Sequence, residues 1–193
     1  MLHIQMLKYS CLRSLIQESS EPTVELTEYD HILEIILAMV KVMERSPDTF
    51  AHMGEENIRD IILVNLNGHY QGQATGETFN AGGKTDILIR AKDTNIFIAE
   101  CNFWEGEQGY LKTIDQLLGY VTWRDTKTAI ILFNRRKNFG SVLAKIPDVT
   151  KEHPNYKSTG SYPSNTGFRF VFTNANDSAK ELVLTVLAFD IPT

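Results

Sequence analysis

Apolar residues recur at helical spacing between Leu26 and Glu44, at Tyr29, Ile32, Leu33, Ile36, Met39, Val40 and Met43. Positions three and four apart fall on one side of a helix, so this stretch predicts a helix with one apolar face. The same spacing predicts helices from Glu55 to Leu66 and from Tyr110 to Trp123, and a short one from Ser141 to Ile146.

Two runs rich in Ile, Phe and Leu, Lys84 to Ala91 and Asn95 to Asn102, flank a short polar turn. This pattern is typical of an antiparallel hairpin. Thr128 to Phe133 is a further apolar strand that follows a helix, which favours pairing beside the hairpin through a crossover. Residues 69–80 are assigned to an irregular strand, and residues 147–165 to a long polar loop. The runs 168–173 and 182–189 are assigned to a closing hairpin.

Length and composition indicate one globular unit. The 193 residues are 42% hydrophobic and 22% charged, which suits a single substantial core. We assign residues 1–53 to an N-terminal helical extension packed on a core formed by residues 54–193. The helix at Leu26 to Glu44 packs on that core or makes a homodimer contact.

Several observations predict a cytoplasmic protein. No run of about 18 apolar residues marks a membrane span, and Met1 to Gln17 lacks the regions of a secretory signal. Cys11 and Cys101 are far apart, which favours a reduced pair. The net charge of −5 argues against a protein that coats nucleic acid without specificity.

The hairpin brings two acids together. Side chains alternate along a strand, and a three-residue turn would place Asp86 opposite Glu100, and Lys84 opposite Asn102. Facing carboxylates repel each other unless a cation relieves them. Because Mg²⁺ is commonly held by one or two carboxylates with waters and phosphate oxygens, the pair predicts a site for Mg²⁺ or Mn²⁺.

These residues also carry a resemblance to a known family. Asp86 followed by Glu100-Cys101-Asn102 resembles the D…(D/E)xK signature of the PD-(D/E)xK restriction-endonuclease-like nucleases, with Asn102 where lysine is usual. The segment from Gln116 to Tyr120 is similar to the QxxxY element of the RecB-like branch. Glu55 and Glu56 open a helix where many members keep a further acid. The resemblance spans residues 54–134.

The resemblance implies an α/β fold with a restriction-endonuclease-like core of a helix, a three-stranded antiparallel meander, a helix and a further strand. It implies hydrolysis of nucleic-acid phosphodiester bonds, DNA more than RNA, in defence or DNA repair. Asp86, Glu100 and the backbone carbonyl of Cys101 would hold the metal ion. Gln116 would orient water or phosphate, and Tyr120 would support that helix face.

Asn102 departs from the family pattern at the lysine position. An amide brings no charge, and losing one group that stabilises the transition state commonly costs about 10²- to 10³-fold in rate. Lys84 or Lys112 would supply the charge in an active variant. Otherwise the domain binds without cutting, or Asn102 is a substitution that traps an inactive state.

Other assignments stay open. Glu55 and Glu56 are either first-turn acids favoured by the helix dipole, with Glu55 near Arg59, or one of them is a third acid of the site. Trp104 either stacks on a base or anchors its loop in the core.

Three basic residues follow the strand at Thr128 to Phe133. Arg135, Arg136 and Lys137 either contact phosphate or form an exposed loop.

A regulatory interaction protein is the third alternative for the function of the chain, after the nuclease and the domain that binds without cutting. Pairing of Asp86 with Lys84 or Arg90 would favour it.

Overall fold

The structure is a computed structural model that describes residues 26–80, 83–91 and 94–191. Within these ranges the chain forms a mixed α/β fold of helices on a mixed seven-stranded sheet. The described helices are α1 (Leu26–Glu44), α2 (Pro47–Phe50), α3 (Glu55–Tyr70), α4 (Glu107–Tyr120) and α5 (Phe139–Lys151).

The strands follow the chain in two groups. The first five are β1 (Ala74–Thr75), β2 (Thr78–Asn80), β3 (Gly83–Thr85), β4 (Ile87–Ala91) and β5 (Thr94–Phe103). The last four are β6 (Lys127–Asn134), β7 (Tyr156–Gly160), β8 (Gly167–Asn174) and β9 (Asp177–Asp190). The large sheet has the order β1-β4-β5-β6-β9-β8-β7, and β2 and β3 form a separate two-stranded sheet.

Parallel and antiparallel pairs meet at β6. The predicted hairpin is present, because β4 pairs with β5 in antiparallel register through Ile87 with Ala99 and Leu88 with Ile98. Strand β6 lies parallel to β5 after the α4 crossover, which confirms that prediction. The predicted closing hairpin, β8 with β9, joins the same sheet because β9 also lies parallel to β6.

Helices cover both faces of the sheet, so alternate residues of each central strand enter different cores. On one face Phe97 and Ile131 pack with α1 and α3. On the other face Ile98 and Ile130 pack with α4 and α5. Burial on both faces explains why β5 and β6 read as continuous apolar runs.

Helix α1 is fixed to the sheet by a buried hydroxyl. Tyr29 is completely buried, and its hydroxyl is hydrogen-bonded to the carbonyl oxygen of Thr128 at 2.7 Å and to the hydroxyl of Thr185 at 2.6 Å. The apolar stripe predicted from Leu26 to Glu44 therefore faces the core.

The predicted loop over 147–165 is wrong at its start and in its middle. Pro147 lies inside α5, whose buried stripe continues through Val149 and Thr150, and Tyr156–Gly160 forms the edge strand β7. A proline usually ends a helix, but apolar packing on the sheet outweighs that tendency here. His69 lies in the last turn of α3 and does not begin a strand.

Within the described ranges, no helix is both long enough and apolar enough to cross a bilayer. The predictions for Met1 to Gln17 and Cys11 lie outside the described residues. Cys101 is a buried free thiol.

Candidate functional site

Asp86 and Glu100 lie side by side, as the hairpin register predicted. Asp86 sits between β3 and β4, one residue before the pair of Ile87 with Ala99. Its backbone N–H donates to Glu100 Oε1 at 3.3 Å, and the backbone N–H of Cys101 donates to Asp86 Oδ2 at 2.9 Å. The two carboxyl groups therefore share one end of β5.

The Glu100 carboxyl is deeply buried, with 2% of the residue exposed. Burial, and after it the negative charge of Asp86, raises the pKa of Glu100 to about 8. Gln116 Nε2 donates to Glu100 Oε2 at 2.9 Å. Helix α4 thus supplies a neutral hydrogen-bond donor, the Gln116 amide, to Glu100. The other surroundings of Glu100 favour its protonated form.

Lys112, Gln116 and Tyr120 follow one another at four-residue spacing and form a polar stripe along α4. The Tyr120 hydroxyl is hydrogen-bonded to the side chain of Gln116, and burial raises its pKa. Strand β3 approaches this ring so closely that a Cβ on Gly83 would lie 2.3 Å from Tyr120 Cε1. Only glycine fits there without moving the ring. Lys112, earlier on the stripe, is exposed.

Of the two acids that open α3, Glu55 approaches the pair. It is half-buried and accepts a hydrogen bond from the backbone N–H of Phe103, at the end of β5. Burial and then the charge of Asp86 raise its pKa. Glu56 is exposed. Of these two acids, Glu55 is therefore the one that lies near Asp86.

Arg59 was not assigned to the site from the sequence, yet it reaches Asp86. Its side chain is 10% exposed, and Nη1 lies 3.5 Å from Asp86 Oδ1 and 3.4 Å from Glu77 Oε1. Its Nη2 lies 3.2 Å from Asp60 Oδ1. The helical spacing that placed Arg59 four residues after Glu55 was the available signal, because both then project from one turn of α3.

The predicted position of Lys84 is wrong. Lys84 pairs in register with Phe79 in the two-stranded sheet, and its Nζ lies 3.7 Å from Glu77 Oε2. The chain leaves the large sheet before β3, so the register of β4 does not extend to Lys84.

Asn102 and Arg90 also have partners other than those predicted. Asn102 Nδ2 donates to Thr113 Oγ1 of α4 at 3.0 Å. Arg90 Nε donates to Asn95 Oδ1 at 2.8 Å, so the ionic partner of Asp86 is Arg59.

Trp104 anchors its loop, and the alternative of stacking on a base is wrong. The residue is 7% exposed and its ring lies against Tyr110, with 5.9 Å between ring centroids. A ring enclosed in the core has no face to offer to a base.

The basic segment after β6 divides into two parts. Arg135 packs over the ring of Phe103, 4.0 Å from its centroid, and donates to the carbonyl oxygen of Met53. Burial lowers its pKa. These contacts with protein groups give Arg135 a packing role. Arg136 and Lys137 are exposed.

The chemistry of the donor set suits a hard cation in part. Each oxygen of Asp86 and Glu100 has at least one protein partner, and a carboxylate oxygen can accept more than one contact. The Cys101 side chain packs in the core, so only its carbonyl could take part. Among the described residues, no three His, Cys, Asp or Glu side chains are arranged to hold a metal ion. Two carboxylates completed by waters and phosphate oxygens meet the needs of Mg²⁺.

No family, no curated protein and no solved structure matches the chain.

Proposed function

We propose that the chain is a metal-dependent nuclease domain that hydrolyses phosphodiester bonds, with DNA the preferred substrate. The observation that carries this proposal is the buried Glu100 carboxyl beside Asp86, bonded to Gln116. Two adjacent acids at a strand end, one with its pKa raised, form a site where a divalent cation would relieve repulsion. Mg²⁺ and Mn²⁺ are the cations that such oxygen donors suit.

Each residue has a defined part in this proposal. Asp86, Glu100 and the carbonyl of Cys101 would hold the ion, which supplies Lewis acidity toward phosphate and water when bound. Gln116 holds Glu100 in place and leaves its amide oxygen for an incoming water. Glu55 lies near enough to Asp86 to feel its charge and is the candidate proton acceptor.

Positive charge beside the acids has a different source from the family's lysine. Asn102 is neutral and contacts Thr113. Arg59 lies against Asp86 and is the cation nearest the pair, while Lys84 contacts Glu77. We assign the stabilising charge to Arg59 ahead of Lys84 and exposed Lys112.

The finer fold is part of the proposal. Helix α3, the antiparallel strands β1, β4 and β5, helix α4 and the parallel strand β6 follow the order that the restriction-endonuclease-like resemblance implies. This order supports the resemblance. The proposal also includes a role in defence or DNA repair, a cytoplasmic location and homodimerisation.

A second candidate is a silent module of the same fold that binds nucleic acid or a protein. The contact of Arg59 with Asp86 at 3.5 Å favours it, because the guanidinium neutralises one acid without a metal ion. The contact of Asn102 with Thr113 favours it as well, since the amide is engaged in joining β5 to α4.

Plasmid and single-stranded DNA incubated with Mn²⁺ test these alternatives. We expect cleavage by the natural chain, loss in Glu100→Gln, retention in the matched control Glu56→Gln, and a gain of up to about 10²- to 10³-fold in Asn102→Lys. Cation binding by calorimetry without cleavage in any variant would support the silent module. The absence of any cation affinity would overturn the nuclease.

A further inference from the structure

Trp123 lies on the surface just beyond α4. It is 44% exposed, whereas Trp104, the other tryptophan of the sequence, is buried. Lys180 Nζ lies 3.5 Å from the centroid of the Trp123 ring, and the Arg124 guanidinium carbon lies 5.9 Å from it. The Lys180 ammonium therefore covers part of one face of this exposed ring, and the Arg124 guanidinium lies farther from it.

A polar pocket of about 260 Å³ adjoins the tryptophan. Its lining includes Arg90 and Arg124, both exposed, and Thr122, which precedes Trp123. Arg90 Nε is held by Asn95 Oδ1, a bond that leaves the two amino groups of its guanidinium for other acceptors. Two guanidinium groups at one pocket are suited to phosphate.

The loop that carries Trp123 is held by the buried Asp125. Its Oδ2 accepts from the backbone N–H and the hydroxyl of Thr122, both at 2.7 Å, and from Asn80 Nδ2 at 3.1 Å. Its Oδ1 accepts from Asn95 Nδ2 at 2.9 Å. These four donors compensate the charge of Asp125, so this acid opposes a bound anion less than an unpaired one would.

One further acid lies at the tryptophan. Asp177 Oδ2 accepts from Trp123 Nε1 at 2.9 Å, which fixes the orientation of the ring through its edge. Three cations, Arg90, Arg124 and Lys180, lie in the same region as Asp177. The net charge of this region is therefore positive, although the whole chain has a net charge of −5. We call these three cations and Trp123 the Trp123 surface.

The Trp123 surface lies close to the candidate site along the chain. Trp123 follows Tyr120 by three residues, and successive Cα atoms are 3.80 Å apart, so the two Cα atoms are separated by at most about 11 Å. Tyr120 itself is bonded to Gln116, the partner of Glu100. A strand of a few nucleotides is long enough to reach from one place to the other.

We propose that the Trp123 surface binds single-stranded nucleic acid and presents it to the Asp86 and Glu100 pair. This inference rests on the proposed function. A base stacks on the indole in place of the Lys180 ammonium, and its flanking phosphates contact Arg90 and Arg124. Stacking requires a base that is free of its duplex neighbours, so a single strand fits and an intact duplex does not.

The test measures binding of a fluorescein-labelled oligo-dT of about 12 nucleotides in EDTA, where no cleavage occurs. Trp123→Ala should weaken binding about 5- to 150-fold, and Trp123→Phe should keep most of it, because phenylalanine retains a stacking face. Arg124→Ala should reduce the dependence of log K on log salt by about 1. Lys41→Ala, an exposed cation on α1, is the matched control and should bind as the natural chain does.

Several results would overturn the inference. Equal losses in Trp123→Ala and Trp123→Phe would mean that the bond to Asp177 holds the loop and no base stacks. Unchanged binding in Trp123→Ala, or tighter binding of the matching duplex, would also exclude it. Comparing oligo-dT with oligo-rU tells whether the single strand is DNA or RNA.

The proposed function can fail independently of this inference. Binding of oligo-dT in EDTA is measured without cleavage, so this measurement does not depend on the Asp86 and Glu100 pair acting on the strand. Binding that depends on Trp123, with no cleavage of any substrate, would keep the surface and reject the nuclease. Cleavage of single strands that is unchanged in Trp123→Ala would keep the nuclease and reject the surface.

Discussion

Gln116 Nε2 and Glu100 Oε2 are joined by a 2.9 Å hydrogen bond that links α4 to β5. The other oxygen of Glu100 accepts from the backbone N–H of Asp86 at 3.3 Å. Both contacts favour the charged carboxylate, yet burial and the neighbouring charge of Asp86 hold its pKa at about 8. The protonation state of Glu100 therefore changes near neutral pH, and stability and cation binding should both follow it.

Replacing Glu100 with glutamine should change how stability depends on pH. The pKa of Glu100 is about 8 in the folded chain against an ordinary value of 4.5, so the folded state binds the proton more tightly. The stabilisation that protonation gives is complete below about 4.5 and is lost as pH rises through about 8. Over this pH window the free energy of unfolding of the natural chain should fall by more than about 1 kcal/mol relative to that of Glu100→Gln.

Urea unfolding at a series of pH values measures this difference. Glu56→Gln removes an exposed acid from α3 and should give a curve parallel to that of the natural chain. Parallel curves for Glu100→Gln and the natural chain would show that Glu100 ionises at an ordinary pKa and would contradict the burial argument.

The two acids that open α3 form a matched pair for cation binding. Glu55 lies near Asp86, whose charge helps to raise its pKa, while Glu56 is exposed. Removing a charge near a bound cation weakens the attraction, so Glu55→Gln should lower Mn²⁺ affinity roughly 3- to 10-fold and Glu56→Gln should leave it unchanged. Isothermal titration calorimetry with Mn²⁺ measures both. Equal affinities in the two variants would remove Glu55 from the site.

The sequence was informative where local pattern and packing agreed. The helix predicted from Leu26 to Glu44 has those bounds in the structure, because its apolar stripe is long and faces one core. The loop predicted from Pro147 was wrong. Proline alone favours the end of a helix, but burial of Val149 against the sheet continues α5 to Lys151. Packing partners that lie far along the chain are absent from a local pattern.

The candidate site divides in the same way. Asp86 and Glu100 could be paired because one short turn fixes their register. The position of Lys84 could not be predicted by extending that register, because the chain departs into a small second sheet with Phe79. The contact of Arg59 with Asp86 joins α3 to the hairpin, and spacing on one helix does not indicate which strand that helix crosses.

The attachment of α1 to the sheet can be separated from the chemistry of the site. Tyr29→Phe removes a buried hydroxyl that bonds to the Thr128 carbonyl and to Thr185, so it should lower the free energy of unfolding by about 1–3 kcal/mol. Tyr70→Phe removes an exposed hydroxyl that contacts Glu28 and should change stability by no more than about 0.5 kcal/mol.

Thermal unfolding should show the difference between these two variants as a fall of about 2–4 °C for each kcal/mol lost. Tyr29 packs with Phe97 on the face of β5 opposite to Glu100. Mn²⁺ affinity should therefore stay at its natural value in Tyr29→Phe. Equal unfolding temperatures for the two tyrosine variants would contradict the buried bond, and a loss of Mn²⁺ affinity in Tyr29→Phe would show that α1 also shapes the site.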